Sequence, residues 1–468
     1  MQLTLLATDT LFFGLLIVAI GYGFYASKHE HLRAPWREVA RNAVAIGAAT
    51  VLATFLIIAV LDSIHFYPRL AQNDVSGETQ LGSEVISLFD HLVGPMRTQV
   101  EKTYSAPFAL YAFSKETIEL DDGLTKRDYP RLIFGGSHLA GIDDRNGDIA
   151  RLSLIGMTWA GLIWAVWTAL LLGFISRAHE IPIARAAHNV FFGEFRVPYR
   201  TLLAVTGIIT LTVGICVALA PHYHILGTDK VGIDVLYQAL KSIRTGLMIG
   251  TLTTLVMLPF AMILGISAGY FRGRIDDVIQ YLYTTLSSIP GVLLIASAAL
   301  ILEVYMSRHA DSFTSLVARA DLRLLALCVI LGITSWTGLC RLLRGETLKL
   351  RQVDFVEAAR AFGVSHTTIL MRHMVPNIMH IVMISIVLDF SGLVLAEAVL
   401  SYINIGVDPS MESWGNMINS ARLELAREPI VWWSLLAALV FMFVLVLAAN
   451  LFADAVRDAF DPRLRVIN

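Results

Sequence analysis

The chain has 468 residues, 56% of them hydrophobic and only 16% charged, with a mean hydropathy of +0.65. A soluble chain carries about 25% charged residues, so this balance excludes an ordinary soluble domain and points to a polytopic membrane protein. The formal net charge of -2 excludes the basic excess of a nucleic-acid binder.

A membrane-crossing helix needs roughly 20 mostly apolar residues. Nine segments qualify or come close: 11–27, 42–61, 152–176, 201–220, 245–271, 278–302, 322–340, 378–400 and 431–450. The fifth contains Pro259 and the sixth Pro290, breaks that a packed bundle tolerates. The N-terminus has neither the basic region nor the small-residue cleavage site of a signal peptide, so its first apolar run is expected to be retained. Cys216, Cys328 and Cys340 all fall in apolar runs without CxxC spacing and read as small buried hydrophobes.

Orientation follows from lysine and arginine in the short loops. Loops 28–41, 177–200 and 341–377 are basic, and so is the tail with Arg457, Arg463 and Arg465. Nine spans place all four on one side, the cytoplasmic one, and put the N-terminus outside. Residues 62–151 then form one long extracytoplasmic segment with fourteen acidic and nine basic residues. Within it, "GSEVISLFDHLVG" predicts a capped amphipathic helix. Ser83 is its N-cap, Glu84 sits in its first turn, Val85, Leu88, Phe89, Leu92 and Val93 form one face, and Gly94-Pro95 is its end. Asp143, Asp144 and Asp148 miss the calcium-loop spacing and read as a solvated acidic loop. His222 and His224 have no third metal ligand nearby in sequence. The chain contains no Walker A pattern.

One polar stretch between the last apolar runs is too regular for a linker: "VEAARAFGVSHTTILMRHMVPN", 356–377. Its first part favours helix, Gly363 is a natural helix stop, and Ser365 is an N-cap for a second helix that ends before Pro376. Val356, Ala359, Phe362, Ile369, Leu370 and Met374 can pack the two helices together, leaving Glu357, Arg360, Arg372 and His373 on the other face. Such a knob, tied to spans at both ends, suits docking into a partner's groove.

The same stretch resembles the EAA loop of bacterial ABC-importer permeases. That pattern is E-A-A, three residues, G, nine residues, then I-x-L-P. Glu357-Ala358-Ala359 is followed three residues later by Gly363, and nine residues after that by His373-Met374-Val375-Pro376. "RHMVPN" is similar to the "RHILPN" form of the peptide/nickel branch, to which dipeptide and oligopeptide permeases of the C type belong. "HILGTDKVGIDVL" (224–236) resembles that branch's "HPLGTDxxGRDVL", with Ile233 where arginine is usual. "AGYFRGRIDD" (268–277) resembles the loop after its second core span. "LAEAVLSYINIGVDPSMESWGNMI" (395–418) resembles "LAEAxLSFLGLGxxPPxPSWGxML", and "NLFADAVRDAFDPRLR" (450–465) resembles its C-terminal signature.

The resemblance covers roughly 201–465 and implies an all-α, six-span type I permease core within 201–468, with an EAA coupling loop at 345–377. Before it come two extra spans (1–61), the extracytoplasmic insert (62–151), and a third extra span with a cytoplasmic linker (152–200). It implies a bacterial inner-membrane subunit that pairs with a second permease, two ATPase subunits and a periplasmic substrate-binding protein, with ATP held by the ATPases and no cofactor on this chain. The coupling residues it implies are Glu357, Ala358, Ala359, Arg360, Gly363, Arg372 and Pro376. Peptides or peptide-like solutes are the expected cargo; nickel, opines and antimicrobial peptides are the alternatives within the branch. A membrane sensor or scaffold is the alternative from another class, and it has no use for an ATPase dock.

Two carboxylates fall inside the eighth span. Asp389 and Glu397 lie about 80° apart in helical projection. Intramembrane carboxylates are costly and are retained where they function. Glu397 matches the "LAEA" motif, which implies a shared structural or gating role. Asp389 matches no motif. It either faces the pathway, where it would meet a cationic group of the substrate, or serves as a hydrogen-bonded packing acid.

Overall fold

The computed structural model describes residues 2–68, 85–119, 125–139, 141–309 and 315–460. The first helices are α1 (Ala7–Lys28), α2 (Glu30–Val39) and α3 (Ala43–Asp62). The insert adds two short ones, α4 (Leu88–Leu92) and α5 (Gly94–Thr98). Then come α6 (Arg145–His179), α7 (Ile183–Phe192), α8 (Tyr199–Leu219), α9 (Val235–Phe271), α10 (Gly273–Ser288) and α11 (Gly291–Arg308). The remainder are α12 (Leu316–Ser335), α13 (Thr337–Leu350), α14 (Asp354–Ala361), α15 (His366–Ile369), α16 (Val375–Tyr402), α17 (Trp414–Glu424) and α18 (Trp433–Phe460).

Eight of the described helices are long and apolar enough to cross a membrane: α1, α3, α6, α8, α9, α11, the run His366–Tyr402, and α18. Two expected spans have other boundaries. The segment 278–302 is not one helix. α10 ends at Ser288, Ile289 is extended, and α11 begins after Pro290, because the helical region is disfavoured for a residue before proline. The segment 322–340 is divided as well. α12 begins earlier and ends at Ser335, and α13 starts after Trp336, where Thr337 and Gly338 are weak helix formers. α12 has the length of a span but carries Arg319, Asp321 and Arg323.

The chain forms two compact units. One comprises the N-terminal strand, Arg37–Arg244 and Glu412–Ala448; the other comprises Leu5–Trp36, Thr245–Met411 and the chain from Ala449 onward.

In the first unit, β1 (Gln2–Thr4), β2 (His65–Tyr67) and β3 (Ile86–Ser87) form a three-stranded antiparallel sheet, with Leu3 opposite Phe66 and Phe66 opposite Ile86. β4 (Glu116–Glu119) and β5 (Thr125–Asp128) make a separate antiparallel ladder. Asn42 caps α3, its side-chain oxygen accepting from Val44 N at 2.8 Å and Ala45 N at 3.3 Å. α6 and α8 cross at near backbone contact. A Cβ on Gly156 would meet the Gly214 carbonyl at 2.5 Å, and one on Gly214 would meet Ala160 Cβ at 2.4 Å. Small residues at a crossing allow this approach between apolar helices.

The helix expected to start at Ser83 starts later. Ser83 and Glu84 lie outside the described residues, and Ile86–Ser87 is strand. Ser87 instead caps α4 in a reciprocal box with Asp90. The expected apolar face does not form, since Phe89 is buried whereas Leu92 is exposed. Gly94-Pro95 opens α5 rather than closing a helix, as proline suits a first helical turn.

The insert is stitched to the segment that precedes α9. Glu101 N donates to Gly232 O (3.0 Å), Phe108 N to His224 O (3.0 Å), Gly136 N to His222 O (2.7 Å) and Thr228 N to Ser105 O (3.1 Å). Gly232, at φ +85, has no room for a side chain, because a Cβ would fall 1.8 Å from the Glu101 carbonyl oxygen.

In the second unit α1 packs on α12, where Thr8 N donates to Asp321 Oδ2 at 3.1 Å and Thr8 Oγ1 donates to Asp321 Oδ1. The main apolar cluster joins α9, α10, α13, α14, α15 and α16 through Met257, Tyr283, Leu343, Val356, Ile369 and Ile378, among others.

Candidate coupling surface

α14 follows α13 after a short turn. Asp354 and Glu357 occupy its first turn, where negative charge complements the helix dipole. The helix closes at Gly363, with φ +74: Val364 N donates to Ala359 O and Gly363 N to Arg360 O, each at 3.1 Å. This is the glycine-terminated helix end the sequence predicts. A Cβ there would meet nothing within 4 Å, so the glycine is required by conformation and not by space. Ser365 then caps α15, its Oγ accepting from Thr368 N at 3.3 Å.

The second helix does not stop before Pro376. A π-helical turn, Leu370–Met374, joins α15 to α16, with Val375 N donating to Leu370 O. The wider turn lets the chain enter α16 with Pro376 in the first turn, where the absent N–H is no loss. The helical run is therefore continuous from His366 to Tyr402. The two faces largely follow expectation. Val356, Ile369 and Met374 are buried, and Ala359 and Leu370 pack against them. Phe362 does not join them, being 87% exposed, because it lies in the turn itself. Glu357, Ala358, Arg360, Arg372 and Pro376 are exposed. The Tyr270 hydroxyl pairs with His366 Nδ1 at 2.8 Å, fixing the start of α15 against the end of α9.

The two membrane carboxylates differ in setting. Glu397 is 2% exposed and accepts from Ser401 Oγ at 2.6 Å. Ser401 is pressed in turn by Gly406, where a Cβ would meet Ser401 N at 2.7 Å. Glu397 thus belongs to a packed turn at the end of α16. Asp389 is half-buried, and no hydrogen bond or ion pair to it occurs among the described residues.

An exposed helix–turn–helix continuous with a helix of membrane-crossing length coincides with a family match. Residues 261–466 match the family described as binding-protein-dependent transport system inner membrane component. Similarity extends to a glutathione transport system permease protein of Pectobacterium atrosepticum, 31% identical over 242 residues, which are 52% of this chain and 73% of that protein. The chain belongs to this family of ABC-importer permeases. An oligopeptide transport system permease protein of Escherichia coli K12 is 30% identical over 242 residues, 73% of its length. A dipeptide transport system permease protein of Lactococcus lactis is 30% identical over 240 residues, 64% of its length.

The permease also holds two buried charge networks that no sequence motif marks. In the first, Lys241 Nζ lies 2.7 and 2.8 Å from the two Asp90 oxygens, and the Tyr237 hydroxyl donates to Asp90 Oδ1 at 2.8 Å. Ser87 Oγ donates to Asp62 Oδ1 at 2.7 Å, which lies 3.9 Å from Lys241 Nζ. Burial alone would raise the Asp90 pKa, but Lys241 and the hydrogen bonds hold it below the ordinary carboxylate value. Burial, with Asp229, Asp62 and Asp90 nearby, pushes the Glu412 carboxyl up to about 7 against the pull of Lys241.

In the second network, His224 sits between Asp234 (Nδ1–Oδ2 3.0 Å) and Glu101 (Nε2–Oε1 3.5 Å). Glu101 also accepts from Ile133 N, Phe134 N and Gly135 N at 2.9, 2.8 and 3.0 Å. Burial opposes both charges. The two carboxylates still raise the His224 pKa to about 9, and the His224 ion pair together with the three backbone donors lowers that of Glu101 to about 2. The histidine of "HYH" is therefore an ion-pair partner. Asp148, expected in a solvated acidic loop, lies instead in the first turn of α6, where it accepts from Tyr223 OH at 2.8 Å and lies 2.7 Å from His138 Nε2. A lysine just before one expected apolar span, and an aspartate just after another, were the only sequence signals for the first network.

Proposed function

We propose that this permease is a translocation subunit of an ATP-driven importer that carries peptides or peptide-like solutes across the bacterial inner membrane. Its partners are a second permease, two ATPase subunits that bind and hydrolyse the ATP, and a periplasmic binding protein that delivers substrate. The observation that carries the coupling role is the unbroken path from the exposed α14–Gly363–α15 corner through the π-turn into α16. A push on that corner is delivered along the helix that bears Asp389. The named cargo of the similar permeases, dipeptides, oligopeptides and glutathione, supports a peptide-like substrate. The basic loops support a cytoplasmic position for the corner and an extracytoplasmic one for the insert.

Gly363→Val tests the dock. The left-handed conformation at φ +74 penalises a β-branched side chain. The variant is expected to insert normally, to lose most ATPase co-purification and to lose uptake. Full co-purification with full uptake would remove the corner from the coupling role.

A further inference from the structure

Positive charge gathers where α9 and α13 end. Gly265 and Gly269 bring the two helices to near backbone contact: a Cβ on Gly265 would meet the Cys340 carbonyl oxygen at 2.7 Å, and one on Gly269 would meet Thr347 Cβ at 2.6 Å. Arg272 is the residue after α9, and Arg351 the residue after α13. Tyr270, Leu350, Val356 and Ala359 share one apolar cluster, so α14 and its Arg360 reach the same corner. Besides burial, the charges of Arg360 and Arg272 both act on Arg351 and lower its pKa below the arginine norm.

Arg351 Nη1 is buried without a hydrogen-bond partner. Among the described residues no ion pair engages Arg272, Arg351 or Arg360. Asp276, the carboxylate whose charge Arg272 also feels, is held bidentate by Arg344 at 2.6 and 2.7 Å. Converging like charges around an unsatisfied buried donor are unfavourable until an anion joins them.

We propose that Arg272, Arg351 and Arg360 seat a phosphate group, supplied by the headgroup of an anionic phospholipid. The apolar surface beside the cluster favours this source over a free ion. Phe271 is exposed beside it, and α10 exposes Ile275, Val278, Tyr281 and Leu282 while burying Asp276 and Ile279, as a helix lying in the interface does. Guanidinium forks match phosphate oxygens. A bound headgroup would brace α14 against α9 at the foot of the coupling corner.

The test uses the full chain, purified and presented with phosphatidylglycerol, phosphatidylcholine or inorganic phosphate, with retained ligand read by native mass spectrometry. The wild type should retain phosphatidylglycerol over phosphatidylcholine roughly tenfold or more, and the preference should fall at high salt. The Arg272→Gln/Arg351→Gln variant should lose it, and the Arg272→Lys/Arg351→Lys variant should keep most of it, which separates charge from misfolding. Equal retention of both lipids by the wild type overturns the proposal. So does an unchanged preference in the glutamine variant, or binding of inorganic phosphate without any lipid preference. Reduced ATPase co-purification with intact lipid preference would reassign the cluster to an acidic protein surface and equally overturn it.

Discussion

Asp389 and Glu397 lie on one helix and have opposite circumstances. Glu397 is enclosed and bonded to Ser401, whereas Asp389 is half-buried with no described partner. A carboxylate left without a protein partner inside an apolar span suits a substrate ammonium, whose attraction is strengthened by the low dielectric. Asp389→Asn keeps the shape and removes the charge. Uptake of free-amine peptides is expected to fall roughly tenfold more than that of N-acetylated analogues, in competition assays against the wild type. Equal sensitivity of the two substrate sets would make Asp389 a packing acid. Asp90 is a structural counterpart. Removing it leaves Lys241 with the Tyr237 hydroxyl at 3.1 Å and Asp62 at 3.9 Å, and breaking a buried pair costs about 3 kcal/mol. Asp90→Ala should therefore lower the melting temperature clearly, and adding Lys241→Met should restore part of the loss. A double variant no more stable than the single one would show that the pair itself contributes little.

At the scale of elements, the insert is held to the segment before α9 by backbone bonds and by the His224 pair. The sign of its pH dependence follows from the two shifts. His224, raised from 6.5 to about 9, contributes stability that is complete below pH 6.5 and is lost as pH rises through 9. Glu101, lowered from 4.5 to about 2, contributes stability that is complete above pH 4.5 and is lost as pH falls through 2. Thermal stability in detergent should therefore decline from pH 6.5 to 9, and His224→Gln should flatten that decline. A wild-type profile level over this range would contradict the charged-histidine assignment. The π-turn before α16 is the other element-scale finding. It converts the expected hairpin stop into a continuous strut, because its wider ring accommodates Pro376 without breaking the helix.

At the scale of the whole molecule, the proposed topology has nine crossings, α12 included, with the N-terminus outside. The structure tells where to probe it: Leu110 and Val190 are buried, whereas Tyr111 is 40% exposed and His188 is also exposed. Single cysteines at 111 and 188, in a background without Cys216, Cys328 and Cys340, should react with impermeant reagents from opposite sides. Reaction of both from the same side would require a different count of crossings. The helices before α8 pack within their units: α6 and α3 on α8, and α1 on α12.

Composition and local pattern determined the membrane class, most of the span positions, the glycine-terminated coupling corner and the family, because hydropathy, helix capping and the EAA spacing are all written in neighbouring residues. The helix breaks at Ile289 and Trp336 were half legible. Pro290 was visible, but whether a break leaves one span or two helices depends on how the pieces pack. Only the tertiary structure decided which distant charges meet. Lys241 with Asp90, His224 with Glu101, and Arg351 with Arg272 are meetings between elements far apart in the chain. Their sequence surroundings carry no periodicity that records a partner, and burial in the fold is what gives each charge its consequence.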